Sequence, residues 1–229
     1  MQGYGVYLLF IIPPFVLGLV VQHWLKTTVT RELQVPVANG LTGAQAAREI
    51  LDRNGLHSIA VERANGGPLS DNYDPTKRKL FLSQPVYDGV SVASTAIAAH
   101  ESGHAIQHAK AYKPMELRSA LFPVVAFASN TWVFLLLIGF VTRALGLVQI
   151  AIVLFAAVVL FQLVTLPVEF DASRRALGQI DALGLVTTGE HRGARKVLTV
   201  AAMTYVAGAL VAVTQLAYYL LVFFGGGRR

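Results

Sequence analysis

The chain has 229 residues, of which 54% are hydrophobic and 14% charged, with a mean hydropathy of +0.54 and a formal charge of +6. A soluble domain carries about 25% charged residues, so the composition is that of a membrane protein. Cysteine is absent, which excludes disulfides and thiolate metal sites and leaves His, Asp and Glu as the only ligands for a zinc ion.

Four apolar runs are long enough to cross a bilayer, which takes about 20 residues. They cover 1–25, 119–166 as a hairpin of two spans (119–140 and 144–166), and 197–224, and none holds an Asp, Glu, Lys or Arg. The first lacks a basic leader and a small-residue cleavage site, so it is expected to be a retained anchor. All 13 acidic residues and 16 of the 19 basic ones fall in 26–118 or 169–196. Four spans put these two segments on one side. Lys26, Lys110, Lys113, Arg118, Arg174, Arg175, Arg195 and Lys196 near the span ends make that side the cytoplasm of a cell membrane. No basic helix or aromatic-basic platform suggests nucleic acid. The expected partners are the bilayer and a peptide or protein substrate.

Segment 26–118 is expected to be a small α+β domain. A short amphipathic helix covers 42–51, with Thr42 as its cap and Asn54-Gly55 as its stop. Residues 59–63 read as a strand, 65–68 and 71–75 as turns, and Lys79, Leu80, Phe81, Leu82 and Ser83 as a second strand. This second strand is a candidate exposed edge for binding an extended peptide. A helix follows over 91–109.

That helix holds His100-Glu101-Ser102-Gly103-His104, an H-E-x-x-H pattern. Residues four apart share a helix face, so both imidazoles can reach one zinc ion while Glu101 stands beside a water activated there. Glu101 is the expected catalytic base. Gly103 inside a helix costs about 1 kcal/mol against Ala and needs a reason, such as close packing or room for substrate. A third ligand is required. His23, His57, His108 and His191 are candidates by type, but Glu169 is preferred, in a juxtamembrane helical segment over 167–196. A carboxylate at a membrane boundary is costly unless paired or functional, and the topology returns it to the side of His100. Asp171 is the alternative ligand or a partner of a ligand histidine. His191 and Arg195 are candidate oxyanion donors, with Tyr73 and Tyr87 weaker ones.

HESGH, together with Glu169 in VEFDASRRAL and GARKVLTVAAMTYVA downstream, resembles the neutral zinc metallopeptidases of the YugP type. SDNYDP and SVASTAIAAHESGHAIQ resemble the same family, so the likeness covers nearly the whole chain. It implies a bacterial integral-membrane peptidase with a distal Glu ligand and one Zn²⁺ per chain. A more distant likeness is to HtpX-type membrane peptidases, in which an Asp follows four positions after that Glu. Here that position is Ser173, and Asp171 is the nearest acidic replacement.

The resulting expectation is an α-helical integral membrane protein of about four transmembrane helices. It carries a small zincin-like α+β juxtamembrane domain, made of the HExxH helix and a short β-hairpin. Its expected function is that of a gluzincin-like metalloendopeptidase. An intramembrane protease fits less well, because Gln107, His108, Lys110 and Lys113 follow the motif. The alternative from another class is a non-catalytic scaffold retaining a structural zinc.

Overall fold

The computed structural model describes residues 2–66 and 70–225. Helices α1 (Gln2–Glu32) and α2 (Gly43–Arg53) come first. They are followed by strands β1 (Ala60–Arg63), β2 (Asn72–Asp74) and β3 (Lys79–Leu82). Helices α3 (Gln84–Tyr87), α4 (Val92–Ala109), α5 (Lys113–Thr142), α6 (Leu145–Ala182) and α7 (Thr188–Gly225) complete the chain. It divides into two units.

One unit gathers the chain up to Val21, Glu116–Pro167 and the chain from Thr204. Trp132 stacks on Phe155 at 4.3 Å between ring centroids, and Val159, Ala212, Leu216 and Tyr219 pack around them. Phe127, Phe134, Phe140 and Val141 are exposed, Phe140 at 81%. So much bare apolar surface is disfavoured in water but is normal against lipid. Four helices, over Phe10–Glu32, Lys113–Thr142, Leu145–Ala182 and Thr188–Phe223, are long and apolar enough to cross a membrane. At 1.5 Å per residue, the 38 residues of α6 reach about 57 Å, well beyond a hydrocarbon layer of about 30 Å. Pro167 lies inside α6. A proline inside a helix removes one backbone bond, and α6 continues through it to Ala182.

The other unit comprises Gln22–Met115 and Val168–Met203. Thr42 and Gln45 form a reciprocal capping box at the start of α2, and Asn54 closes it, with Gly55 beyond at φ +71°. The core joins Ile50 and Leu51 of α2, Leu80 and Leu82 of β3, Ala96, Ala99 and Ala105 of α4, and Val168, Ala176 and Ile180 of α6. The Ser91 hydroxyl caps α4 by accepting from the Ser94 N–H. Pro36 pairs with Ser91 in an isolated bridge, and Val92 donates to the Val35 carbonyl, so the entry to α4 is pinned.

Two sheet expectations are corrected. The strand order is β1-β3-β2, so Lys79, Leu80, Phe81 and Leu82 form the central strand and present no free edge to a peptide. Ser83 lies beyond the strand, where its N–H and hydroxyl both donate to Asp71. The two expected strands also do not make a hairpin. β1 runs parallel to β3, and the antiparallel partner is β2, which lies in the stretch expected to be a turn. The physical reason is local. Asn72 and Asp74 signal a turn, but the Tyr73 ring between them is buried and the phenol reaches His108.

Candidate metal centre

Helix α4 supplies three of the four central side chains, and α6 supplies the fourth. His100 and His104, one turn apart, set their rings edge to face at 4.7 Å. Glu169 Oε2 lies 3.2 Å from His100 Nε2 and 3.5 Å from His104 Nε2. The three ligand atoms all fall within 4.8 Å of one another. Glu169 is 2% exposed, an extreme burial for a carboxylate.

The reason α6 can deliver Glu169 here is Gly103. A Cβ on Gly103 would stand 2.7 Å from the Ala172 carbonyl oxygen, so the two helix backbones nearly touch. The mid-helix glycine therefore serves close packing. Ala172 is one turn along from Glu169.

The donor set fits zinc. Two imidazole nitrogens and one carboxylate oxygen are a known catalytic set, with bonds of about 2.0–2.2 Å. Tetrahedral ligands at that radius lie about 3.3 Å apart by geometry, close to the observed 3.2 and 3.5 Å. Charge-assisted hydrogen bonds are shorter, about 2.7–2.9 Å.

Each histidine is also held from behind. Ser173 Oγ lies 3.2 Å from His100 Nδ1, so the position without an Asp still carries a partner for a candidate ligand. Gln107 Oε1 lies 3.0 Å from His104 Nδ1, and Gln107 Nε2 donates to Val168 O and Asp171 Oδ2. Asp171 also pairs with Arg174 and Arg175 and stands outside the ligand cluster. In the sequence Gln107 figures only in the polar stretch after the motif. Its only signal there is a polar side chain three residues after His104 on an otherwise small and apolar helix.

Glu101 is 8% exposed. Burial pushes its carboxyl above the ordinary range, against the pull of His100 and His104. At His104 burial opposes a positive charge, but the hydrogen bond and charge of Glu169 outweigh it and push the ring's pKa up. The pocket thus favours positive charge at the His104 imidazole.

The remaining candidates lie elsewhere. His57 pairs with Asp52, His108 with the Tyr73 hydroxyl at 2.8 Å, and His191 with Asp181 at 3.1 Å. None joins the cluster, and His23 is exposed. His191 and Arg195 line a groove of about 410 Å³ between the end of α6 and the start of α7, together with Phe170, Ser173 and Leu198. Tyr87 lies under the Arg63 guanidinium.

The model of a family described as "Putative neutral zinc metallopeptidase" matches residues 7–224. The chain is 45% identical over 205 residues to the "Putative membrane protease YugP" of Bacillus subtilis (strain 168), covering 90% of this chain and 91% of that protein. No solved structure matches.

Proposed function

The chain belongs to the neutral zinc metallopeptidase family, and from that premise we propose that it is a membrane-bound, zinc-dependent endopeptidase of gluzincin type. One observation supports this most strongly: Glu169 Oε2 is set between the Nε2 atoms of His100 and His104, with the buried Glu101 on the same helix. His100, His104 and Glu169 would hold one zinc per chain. Zinc, when bound at such a set, polarises a carbonyl and makes water a nucleophile near neutral pH.

The protein's own groups do the rest. A Glu101 carboxylate oxygen takes the proton from the attacking water as its oxygen bonds to the peptide carbon. When the C–N bond breaks, Glu101 passes that proton to the leaving amine nitrogen. Burial raises the basicity of Glu101 toward the working range. Ser173 and Gln107 restrain the two rings. Around this site we read a zincin-like α+β unit at the cytoplasmic face of the cell membrane, a placement supported by the basic residues near the span ends. A polypeptide chain and the bilayer are its partners.

The test is zinc content and cleavage of an unfolded protein such as casein by the full chain in detergent. About one zinc per chain is expected, with cleavage lost on chelation and restored by zinc. A preparation that binds no zinc would sink the reading. Zinc without cleavage would favour a scaffold with a structural metal. Ligand choice is tested separately. Glu169→Ala is expected to lose zinc, whereas His108→Ala keeps it, since His108 is engaged with Tyr73. The reverse pattern would mean that the third ligand is wrong.

A further inference from the structure

Both ring nitrogens of His104 have partners. Nε2 faces Glu169, and Nδ1 faces Gln107 Oε1 at 3.0 Å. Whether Nδ1 donates there depends on how the Gln107 amide is turned, and an amide's oxygen and nitrogen are told apart by their partners.

Here the partners decide. The other end of the amide lies 2.8 Å from the Val168 carbonyl oxygen and 2.9 Å from Asp171 Oδ2. A carbonyl oxygen can only accept. The Asp171 carboxylate, paired with the guanidinium groups of Arg174 and Arg175, accepts as well. Two acceptors require the two hydrogens of the amide nitrogen. Turning the amide over would set oxygen against two oxygens, and Gln107 has no exposed surface. Its oxygen is therefore held toward His104, where it accepts from Nδ1–H. A neutral imidazole with its hydrogen on Nδ1 carries its lone pair on Nε2.

We infer that Gln107 is a positioning residue for the metal centre. Its amide, clamped by Val168 and Asp171, holds His104 in the Nδ1–H form and aims the Nε2 lone pair at the ion. The usual partner of a ligand histidine's outer nitrogen is a carboxylate, a carbonyl or water. Here a carboxylate acts one step removed, through a neutral amide. The inference rests on the zinc reading above.

The test titrates the metal-stripped full chain with zinc against a chelating indicator. Gln107→Met keeps the length of the side chain and loses the acceptor. Gln107→Met is expected to raise the zinc Kd about 10–100-fold while unfolding as the wild type does. Wild-type affinity in Gln107→Met would overturn the inference. A second readout needs no variant. In the zinc-loaded wild type labelled with ¹⁵N-histidine, long-range proton–nitrogen correlations are expected to place the His104 hydrogen on Nδ1, and a hydrogen on Nε2 would overturn the inference. A wild type that binds no zinc would instead remove the zinc reading itself.

Discussion

Glu101→Gln is expected to abolish casein cleavage while leaving the zinc content unchanged. General acid–base catalysis contributes about 10²–10⁴-fold, and the substitution removes that contribution with almost no change in shape. The amide fills the same buried space at 8% exposure but cannot take a proton from water at neutral pH. Glu101 is not among the clustered ligand atoms, so metal affinity should not fall. Two measurements on one preparation therefore separate chemistry from binding. Zinc in both proteins with cleavage only in the wild type supports Glu101 as the base. Cleavage that persists in Glu101→Gln would require another base, and zinc lost from the variant would mean that Glu101 helps hold the ion.

The candidate site was legible to the extent that its residues announce themselves by type and spacing. His100 and His104 are one helical turn apart, and that relation is local. Glu169 was reachable by a coarser argument, because topology returns the end of the third span to the polar side and a boundary carboxylate is costly without a use. Gln107 was not reachable as a partner of His104, and Ser173 was reached only as the position where the HtpX-type likeness has an Asp. A glutamine and a serine have no fixed meaning in a sequence. Gln107 acquires its role from Val168 and Asp171, 61 and 64 residues away, and Ser173 from His100, 73 residues away. The sheet shows the same limit. Strands at β1 and β3 follow from short apolar patterns, but pairing order is a tertiary matter. Three residues of β2 with Asn and Asp at the ends carry too little alternation to outweigh their turn chemistry.

Gly103→Ala separates local helix preference from tertiary packing. Helix propensity alone favours alanine by about 1 kcal/mol, so an isolated α4 would gain stability. In the folded protein the added Cβ would meet the Ala172 carbonyl oxygen at 2.7 Å. That atom is backbone and cannot swing aside as a side-chain tip would, so α6 must shift. Overpacking of this kind costs about 1–3 kcal/mol, enough to reverse the propensity gain. The shift also reaches the metal centre, because Ala172 lies three residues from Glu169 on the same helix and carries the carboxylate away from the imidazoles. Ligand geometry tolerates little displacement, and a loss of at least about tenfold in zinc affinity is expected, comparable to removing a partner of a ligand. The control is Gly178→Ala, also on α6, where an added Cβ meets nothing within 4 Å. It should hold zinc like the wild type and be neutral or up to about 1 kcal/mol more stable. Chemical unfolding of the stripped proteins gives the stability change, and competition with a chelating indicator gives the zinc Kd. If Gly103→Ala matches Gly178→Ala in both, the close approach of α4 and α6 is not what brings Glu169 to the histidines.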